Sequence, residues 1–99
     1  MLERLPNPQL RKLKAMGQRL DPMLKIGKAG LTEGFLNQVN QNLEQHELIK
    51  IKFEELKEEK KELAPRIAEQ TSSHLVHQVG NVIVLYRENP NPDKRKIRL

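Results

Sequence analysis

The segment Val82–Arg87 constrains the fold of this chain most, because its first five residues are all apolar. A strand with one face in water alternates apolar and polar residues. This segment therefore predicts a strand that is covered on both faces or lies near the centre of a sheet. Only Gly80 and Asn81 separate it from a second β-rich segment, His74–Val79. That spacing, with glycine in the first loop position, predicts an antiparallel hairpin with a type II′ turn.

The remaining segments show the apolar spacing of helices and strands. The helical patterns run over residues 7–20 and 32–45 and from about residue 61 onward, and the strand patterns cover Met23–Ile26 and Leu48–Phe53. The order α-β-α-β-α-β-β predicts a compact α/β fold with three helices and a mixed four-stranded sheet. We expect residues 1–99 to form a single domain, while the order of the strands in the sheet does not follow from the sequence.

The ends of the predicted helices carry capping signals. Asn7 suits the cap of the first helix and Pro8 its first position, and Thr32 suits the N-cap of the second. Pro65 interrupts the third pattern, so that helix either begins close to Lys61 with the proline in its first turn or is kinked; we favour the first alternative. Residues 1–6 and 89–99 are the predicted flexible ends, because neither shows a regular pattern.

The composition narrows the class of protein. A chain of 99 residues suits one domain, and the absence of cysteine excludes disulfides, thiol nucleophiles and thiolate metal sites. The N-terminal stretch lacks the apolar core of a secretory signal, and the apolar run Val82–Tyr86 is too short to span a bilayer. We therefore predict a cytoplasmic protein without a membrane partner.

The positive charge is concentrated at the two ends of the chain. The formal net charge is +5, and residues 1–30 contain seven Lys or Arg against two acidic residues. The first helical pattern contains no acidic residue, although a surface that serves only solubility usually mixes both signs. Its cations are Arg11, Lys12, Lys14 and Arg19. A localised basic surface of this kind favours a polyanionic partner.

The stretch Gly27-Lys28-Ala29-Gly30 lies between a predicted strand and a predicted helix. Two glycines allow a sharp turn and the close approach of another backbone, and a helix N-terminus attracts anions. Lys28 adds a cation within the loop, and Lys25 precedes it. A GxxG sequence alone more often marks a turn that serves only the geometry of the chain.

The sequence offers no catalytic or metal-binding arrangement. His74 and His77 are an odd number of residues apart on a predicted strand, so we expect them on opposite faces. His46 lies at a helix end, and no carboxylate stands at ligand spacing. We therefore predict no enzyme activity, no cofactor and no small-molecule substrate. With only one tyrosine, two phenylalanines and no tryptophan, base stacking is disfavoured, and contacts to phosphate and sugar are expected.

Three blocks of this sequence resemble the YhbY family, the stand-alone bacterial form of the CRM domain. The blocks are 26–34 (IGKAGLTEG), 46–52 (HELIKIK) and 82–87 (VIVLYR), and the similarity runs from about Leu10 to Leu99. The resemblance implies a fold similar to the C-terminal domain of translation initiation factor 3, RNA contact through the GxxG loop, and association with precursors of the large ribosomal subunit. Pro65 and Ser72 depart from the family pattern and leave the ends of the third helix in doubt.

We therefore expect an RNA-binding ribosome assembly factor that contacts large-subunit ribosomal RNA. The predicted RNA-binding residues are Gly27, Lys28, Ala29, Gly30, Arg11, Lys12, Lys14, Arg19 and Lys25, with Arg87, Lys94, Arg95, Lys96 and the rest of the basic tail as weaker candidates. The alternative is an adaptor whose acidic run, Glu54–Glu62, meets a basic ribosomal protein without direct RNA contact.

Overall fold

The computed structural model describes residues 3–99 and contains three helices and four strands in the predicted order. They are α1 (Asn7–Gln18), β1 (Leu24–Ile26), α2 (Glu33–His46), β2 (Leu48–Phe53), α3 (Lys60–Gln70), β3 (His74–Val79) and β4 (Val82–Tyr86). Short 3-10 turns cover Lys57–Glu59 and Pro92–Lys94. Within this described part of the chain, no helix is both long and apolar enough to cross a membrane.

The four strands form one mixed sheet in the order β1-β2-β4-β3. Strand β1 runs parallel to β2, while β4 is antiparallel to both of its neighbours. Four of the five residues of β4 are buried, because helices cover both faces of this interior strand. Val82–Tyr86 thus lies inside the sheet and is covered on both faces, as its apolar pattern predicted.

The core has two parts, one on each face of the sheet. On one face, Val39 of α2 and Ile67 of α3 pack with Ile51 of β2 and its neighbours. On the other, Leu13 of α1 packs with Val84 and Tyr86 of β4 and with Ile97 near the C-terminus. The two-sided arrangement follows from apolar stripes on all three helices, each of which must be buried against the sheet.

Helix α1 lies unusually close to the sheet at Gly17. A Cβ atom at this position would lie 2.9 Å from Cγ1 of Val84, closer than side chains normally pack. The missing side chain therefore lets the helix approach β4. This contact fixes the height of α1, and of the cations it carries, above that face of the sheet.

The helix ends confirm some of the predicted signals and correct others. Thr32 caps α2 as predicted, since its Oγ1 accepts a hydrogen bond from the N–H of Phe35 at 3.1 Å. Asn7 is already helical and Pro6 occupies the cap position, so the predicted Asn7 cap is wrong. Helix α3 begins at Lys60, which places Pro65 in its second turn and not in its first. Because proline has no N–H, the carbonyl of Lys61 receives no helical hydrogen bond from position 65. Lys61 and Pro65 are both exposed, so water can bond this carbonyl instead.

The hairpin between β3 and β4 contains the predicted turn and an unpredicted bulge. Gly80 has a φ of +56°, as the first loop position of a type II′ turn requires. The register shifts between Leu75 and His77, so that His74 lies opposite Tyr86 and His77 opposite Val84. Both histidines therefore lie on the α1 face, and the prediction of opposite faces was wrong because the bulge breaks the alternation. Burial lowers the pKa of His74, which favours its neutral form.

The segment 89–99, predicted to be flexible, is anchored to the body of the protein by Glu47. This carboxylate is completely buried and accepts hydrogen bonds from the backbone N–H groups of Asn89, Lys96 and Ile97. The Ile97 side chain is only 8% exposed and packs beneath α1. At the other end, Leu5 also packs against this cluster, whereas residues 1 and 2 lie outside the described part of the chain.

Candidate nucleic-acid interface

The glycine-containing loop is a β-turn that joins β1 to α2. The N–H of Gly30 donates to the carbonyl of Gly27 at 3.1 Å, which places Lys28 and Ala29 at the two central positions. Both central residues are exposed. Lys28 is therefore presented at the tip of a defined turn, and its ammonium group is open to solvent.

The two glycines of this turn have different structural roles. Gly30 has a φ of +70°, where an L side chain is strained, and a Cβ there would lie 3.2 Å from Cδ1 of Leu56. A Cβ on Gly27 would have no described atom within 4 Å, and the φ of Gly27 is outside the left-handed region. The fold therefore requires glycine at position 30, whereas at position 27 the missing side chain leaves open space at the surface.

Alanine substitutions should separate these two roles. Gly30→Ala is expected to lower the free energy of unfolding by about 1–2 kcal/mol, because alanine is strained at positive φ. Gly27→Ala should leave stability within about 0.5 kcal/mol of the parent chain but weaken RNA binding, since its methyl group occupies the space open to a ligand backbone. Urea denaturation and a filter-binding titration measure the two effects. Equal RNA affinity of the Gly27→Ala and parent chains would contradict this assignment.

The first turn of α2 adds backbone donors next to the loop. Thr32 satisfies the N–H of Phe35, but the N–H groups of Glu33 and Gly34 have no hydrogen-bond partner within residues 3–99. A Cβ on Gly34 would contact only Oγ1 of Thr32, at 4.0 Å, so close internal packing does not explain this glycine. The carboxylate of Glu33 lies in the same turn and opposes anion binding there.

The loop rests on the segment that follows β2. The carbonyl of Ile26 accepts hydrogen bonds from the N–H groups of Glu54 and Glu55, both at 3.1 Å. Leu56, at a φ of 56°, turns its side chain beneath Gly30. Residues 54–56 therefore support the turn. The same segment carries four exposed glutamates, Glu54, Glu55, Glu58 and Glu59, around one exposed lysine, Lys57. Sequence patterns did not reveal this support, since it depends on a contact between two loops.

Lys25 lies next to Lys52, which was not among the predicted RNA-binding residues. In the parallel pair of β1 and β2, Lys25 lies opposite Lys52, and both side chains are exposed on the α1 face of the sheet. Lys50, one pleat away on β2, donates to the carbonyl of Leu20 at 3.2 Å and so connects the sheet to the end of α1. In the sequence, the alternation of Lys50 and Lys52 with apolar residues indicated that both lysines face away from the core. Only the strand register shows that Lys52 lies beside Lys25.

The cations of α1 lie on the same face of the sheet as Lys25 and Lys52. Arg11 is exposed, Lys14 is half-buried, and Arg19, the C-cap residue directly after α1, is exposed. Lys12 is exposed but donates to the backbone carbonyl of Arg98, which joins α1 to the C-terminal segment. The structure thus brings most of the predicted RNA-binding side chains to one face of the sheet.

The weaker candidates lie at the opposite end of the sheet. Arg87 follows β4 beyond Tyr86, which pairs with the first residue of β2, whereas the GxxG loop lies beside the last. Its guanidinium donates to the side-chain oxygen of Asn40 and to the carbonyl of Thr71, both at 2.8 Å. Arg95 pairs with Glu88 at 3.2 Å. The length of β2 separates these residues from the loop by roughly 17 Å.

A separate cleft lies at this end of the sheet. Lys94 and Arg87 contribute to its wall together with Asn40 of α2. Lys96 is exposed, although its backbone is held by Glu47. Across the described chain, no group of three or more His, Asp or Glu side chains could hold a metal ion.

The sequence was compared with models of known protein families, and one family matches most of the chain. A sequence model described as the CRS1 / YhbY (CRM) domain covers residues 5–87. The chain belongs to this family. The CRM match includes the loop, α1 and all four strands, and it ends at Arg87, just before the segment anchored by Glu47.

Individual relatives are similar to this chain over most of their length. The chain is 35% identical to a protein of Pseudomonas aeruginosa named as a probable RNA-binding protein, over 91% of this chain and 88% of the relative. It is 34% identical to the probable RNA-binding protein YqeI of Bacillus subtilis, with 86% and 90% covered. A solution structure of a hypothetical protein from Staphylococcus aureus superimposes with a TM-score of 0.77 at 35% identity, covering 96% of this chain and 100% of that chain.

Proposed function

We propose that this CRM domain binds RNA and acts as a non-enzymatic assembly factor for the large ribosomal subunit. The open space at Gly27, next to the exposed Lys28, is the observation that best supports an RNA backbone as the ligand. The names of the relatives, as probable RNA-binding proteins, support the same class of partner. The large-subunit precursor is proposed from the family resemblance.

In the proposed mode of binding, the loop grips the sugar-phosphate backbone and the cations of α1 neutralise neighbouring phosphates. Lys28 and the unpaired N–H groups of Glu33 and Gly34 form the central contact. The three aromatic residues do not form an exposed platform, since Phe35, Phe53 and Tyr86 are all buried. Recognition then depends on RNA shape and backbone, and affinity falls with rising salt.

A co-sedimentation experiment in cells tests the assembly role. The tagged chain is expected to migrate with precursors of the large ribosomal subunit on a sucrose gradient and to crosslink to their RNA. Gly27→Ala, which we expect to keep the fold because a Cβ there meets no atom within 4 Å, should shift the protein toward the top of the gradient. Migration with small subunits, or crosslinks spread evenly over cellular RNA, would contradict the proposed partner.

The acidic surface at residues 54–59 supports one alternative, an adaptor that contacts a basic ribosomal protein. Glu54, Glu55, Glu58 and Glu59 are all exposed there. Nuclease treatment distinguishes the two functions: association that survives complete digestion of the RNA favours the adaptor. Loss of association after digestion favours direct RNA binding.

A further inference from the structure

One row of side chains runs across the whole sheet between the GxxG loop and α1. The strand registers place Lys25 opposite Lys52, Lys52 opposite Val82, and Val82 opposite Val79. Residues opposite one another in a sheet share a face, and Lys52 lies on the α1 face because its neighbours Ile51 and Phe53 belong to the other core. We call Lys25, Lys52, Val82 and Val79 the terminal row.

The terminal row is open to solvent. Lys25 and Lys52 are exposed, Val82 is half-buried, and Val79 is 54% exposed. By contrast, Val84, two residues beyond Val82 on β4, is buried against α1. An exposed valine in the same row as two lysines gives a surface with a basic part and an apolar part. RNA offers the complementary groups, namely phosphates for the lysines and sugar or base faces for the valines.

The two lysines are placed at some cost to the fold. Like charges directly opposite one another on neighbouring strands are destabilising. Lys25 has one exposed carboxylate partner, Glu54, at 3.5 Å, and Lys52 has none among the residues that the structure describes. Two adjacent lysines that share a single exposed carboxylate retain net positive charge, which is available to a polyanion.

The charges around the loop also fix a direction. Residues 54–59 follow β2 next to the loop and carry four exposed glutamates and one lysine, Lys57. The terminal row carries two lysines, of which Lys25 pairs with Glu54. An RNA backbone held at Lys28 is repelled by the first surface and attracted by the second. It therefore leaves the loop across the α1 face of the sheet.

We propose that the terminal row is a second RNA contact, in which Lys52 and Lys25 bind phosphate and the two valines pack against the nucleotides that follow. This inference rests on the proposed function and extends it, since it assigns Lys52, Val82 and Val79 to the interface and gives the RNA a path across the sheet. The same path leads toward Lys50 and the C-terminal end of α1.

Removal and addition of one charge test the terminal row. Purified large-subunit ribosomal RNA, freed of protein, is titrated with the parent chain and with Lys52→Gln, Val79→Lys and Lys28→Gln variants. One lost phosphate contact should weaken binding about 4- to 6-fold at 0.15 M salt and reduce the slope of log K against log salt by roughly 0.7–0.9. Val79→Lys should change both quantities in the opposite direction. Lys61→Gln on α3, an exposed lysine over the other face, is the matched control.

The outcomes separate the two proposals. Weaker binding by Lys52→Gln and tighter binding by Val79→Lys, with Lys61→Gln equal to the parent chain, support the terminal row as an RNA contact. If Lys28→Gln weakens binding but the Lys52 and Val79 variants match the Lys61 control, the terminal row is excluded while the loop remains an RNA site. If the parent chain does not bind the RNA, the proposed function fails and this inference fails with it.

Discussion

Replacing Glu47 by glutamine is expected to lower the free energy of unfolding by about 2–4 kcal/mol, although only one atom of the side chain changes. The carboxylate is fully buried, with one oxygen accepting from Asn89 and the other from Lys96 and Ile97. An amide has only one acceptor oxygen, and its NH₂ group would face a backbone N–H. Glu44→Gln, on the exposed surface of the preceding helix, is the control and should be close to neutral. Urea denaturation measures both effects.

The same group gives stability a defined pH dependence. Burial acts to raise the pKa of Glu47, but the three backbone donors and the nearby Arg95 lower it, and together they hold it below the ordinary value. The unfolded chain therefore takes up a proton at higher pH than the native state does. The contribution of Glu47 to the free energy of unfolding is fully present above the pKa that this carboxyl has in the unfolded chain. It is lost as the pH falls through the lower pKa of the folded state. Glu47→Gln should remove this part of the acid sensitivity, and an unchanged pH profile together with unchanged stability would exclude the anchoring role.

Removal of three cations from the proposed interface is expected to have the largest effect on RNA binding. The triple variant Arg11→Gln, Arg19→Gln and Lys28→Gln should bind large-subunit ribosomal RNA roughly 50- to 150-fold more weakly at 0.15 M salt. The slope of log K against log salt should fall in magnitude by about 2–3, because three phosphate contacts no longer release counterions. All three side chains are exposed, so the fold should be retained. Filter binding over a salt series measures both quantities.

A matched variant separates local contacts from net charge. Arg4, Lys61 and Arg66 are three exposed cations outside the proposed interface. Lys61 and Arg66 lie on α3, and Arg4 borders a cleft at the end of that helix. Their replacement by glutamine lowers the net charge by the same amount but should change RNA affinity by only a few fold. Equal losses in the two triple variants would mean that total charge, and not this surface, determines binding.

The sequence predicted the elements well where a local pattern decides them. Strands β2 and β3 have the predicted bounds, and Thr32 caps α2 as expected. The interior position of β4 followed from its continuous apolar residues, since a strand without alternation must be covered on both faces. These features depend on neighbouring residues and on the two-residue period of a strand, which the sequence displays directly.

The errors arose where distant residues decide the local structure. The contact between Glu47 and residues 89–99 was not predicted, because an acidic residue after a helix ordinarily faces water and the backbone donors to Glu47 lie more than 40 positions away. The bulge in β3 places His77 on the same face of the sheet as His74, and no glycine or proline in that strand signals a bulge. Lys52 was recognised as facing water, but its position beside Lys25 requires the register of a parallel pair.

Glu47 holds the C-terminal segment through main-chain atoms and is therefore indifferent to most of the side chains in it. The segment can change its sequence at positions 94 and 98 without losing the anchor, whereas a proline at 89, 96 or 97 would remove a donor. The two prolines that the segment does contain, Pro90 and Pro92, fall where Glu47 uses no N–H. The end of this domain is thus a place where new surface chemistry can be introduced without redesign of the fold, provided that three amide protons are kept.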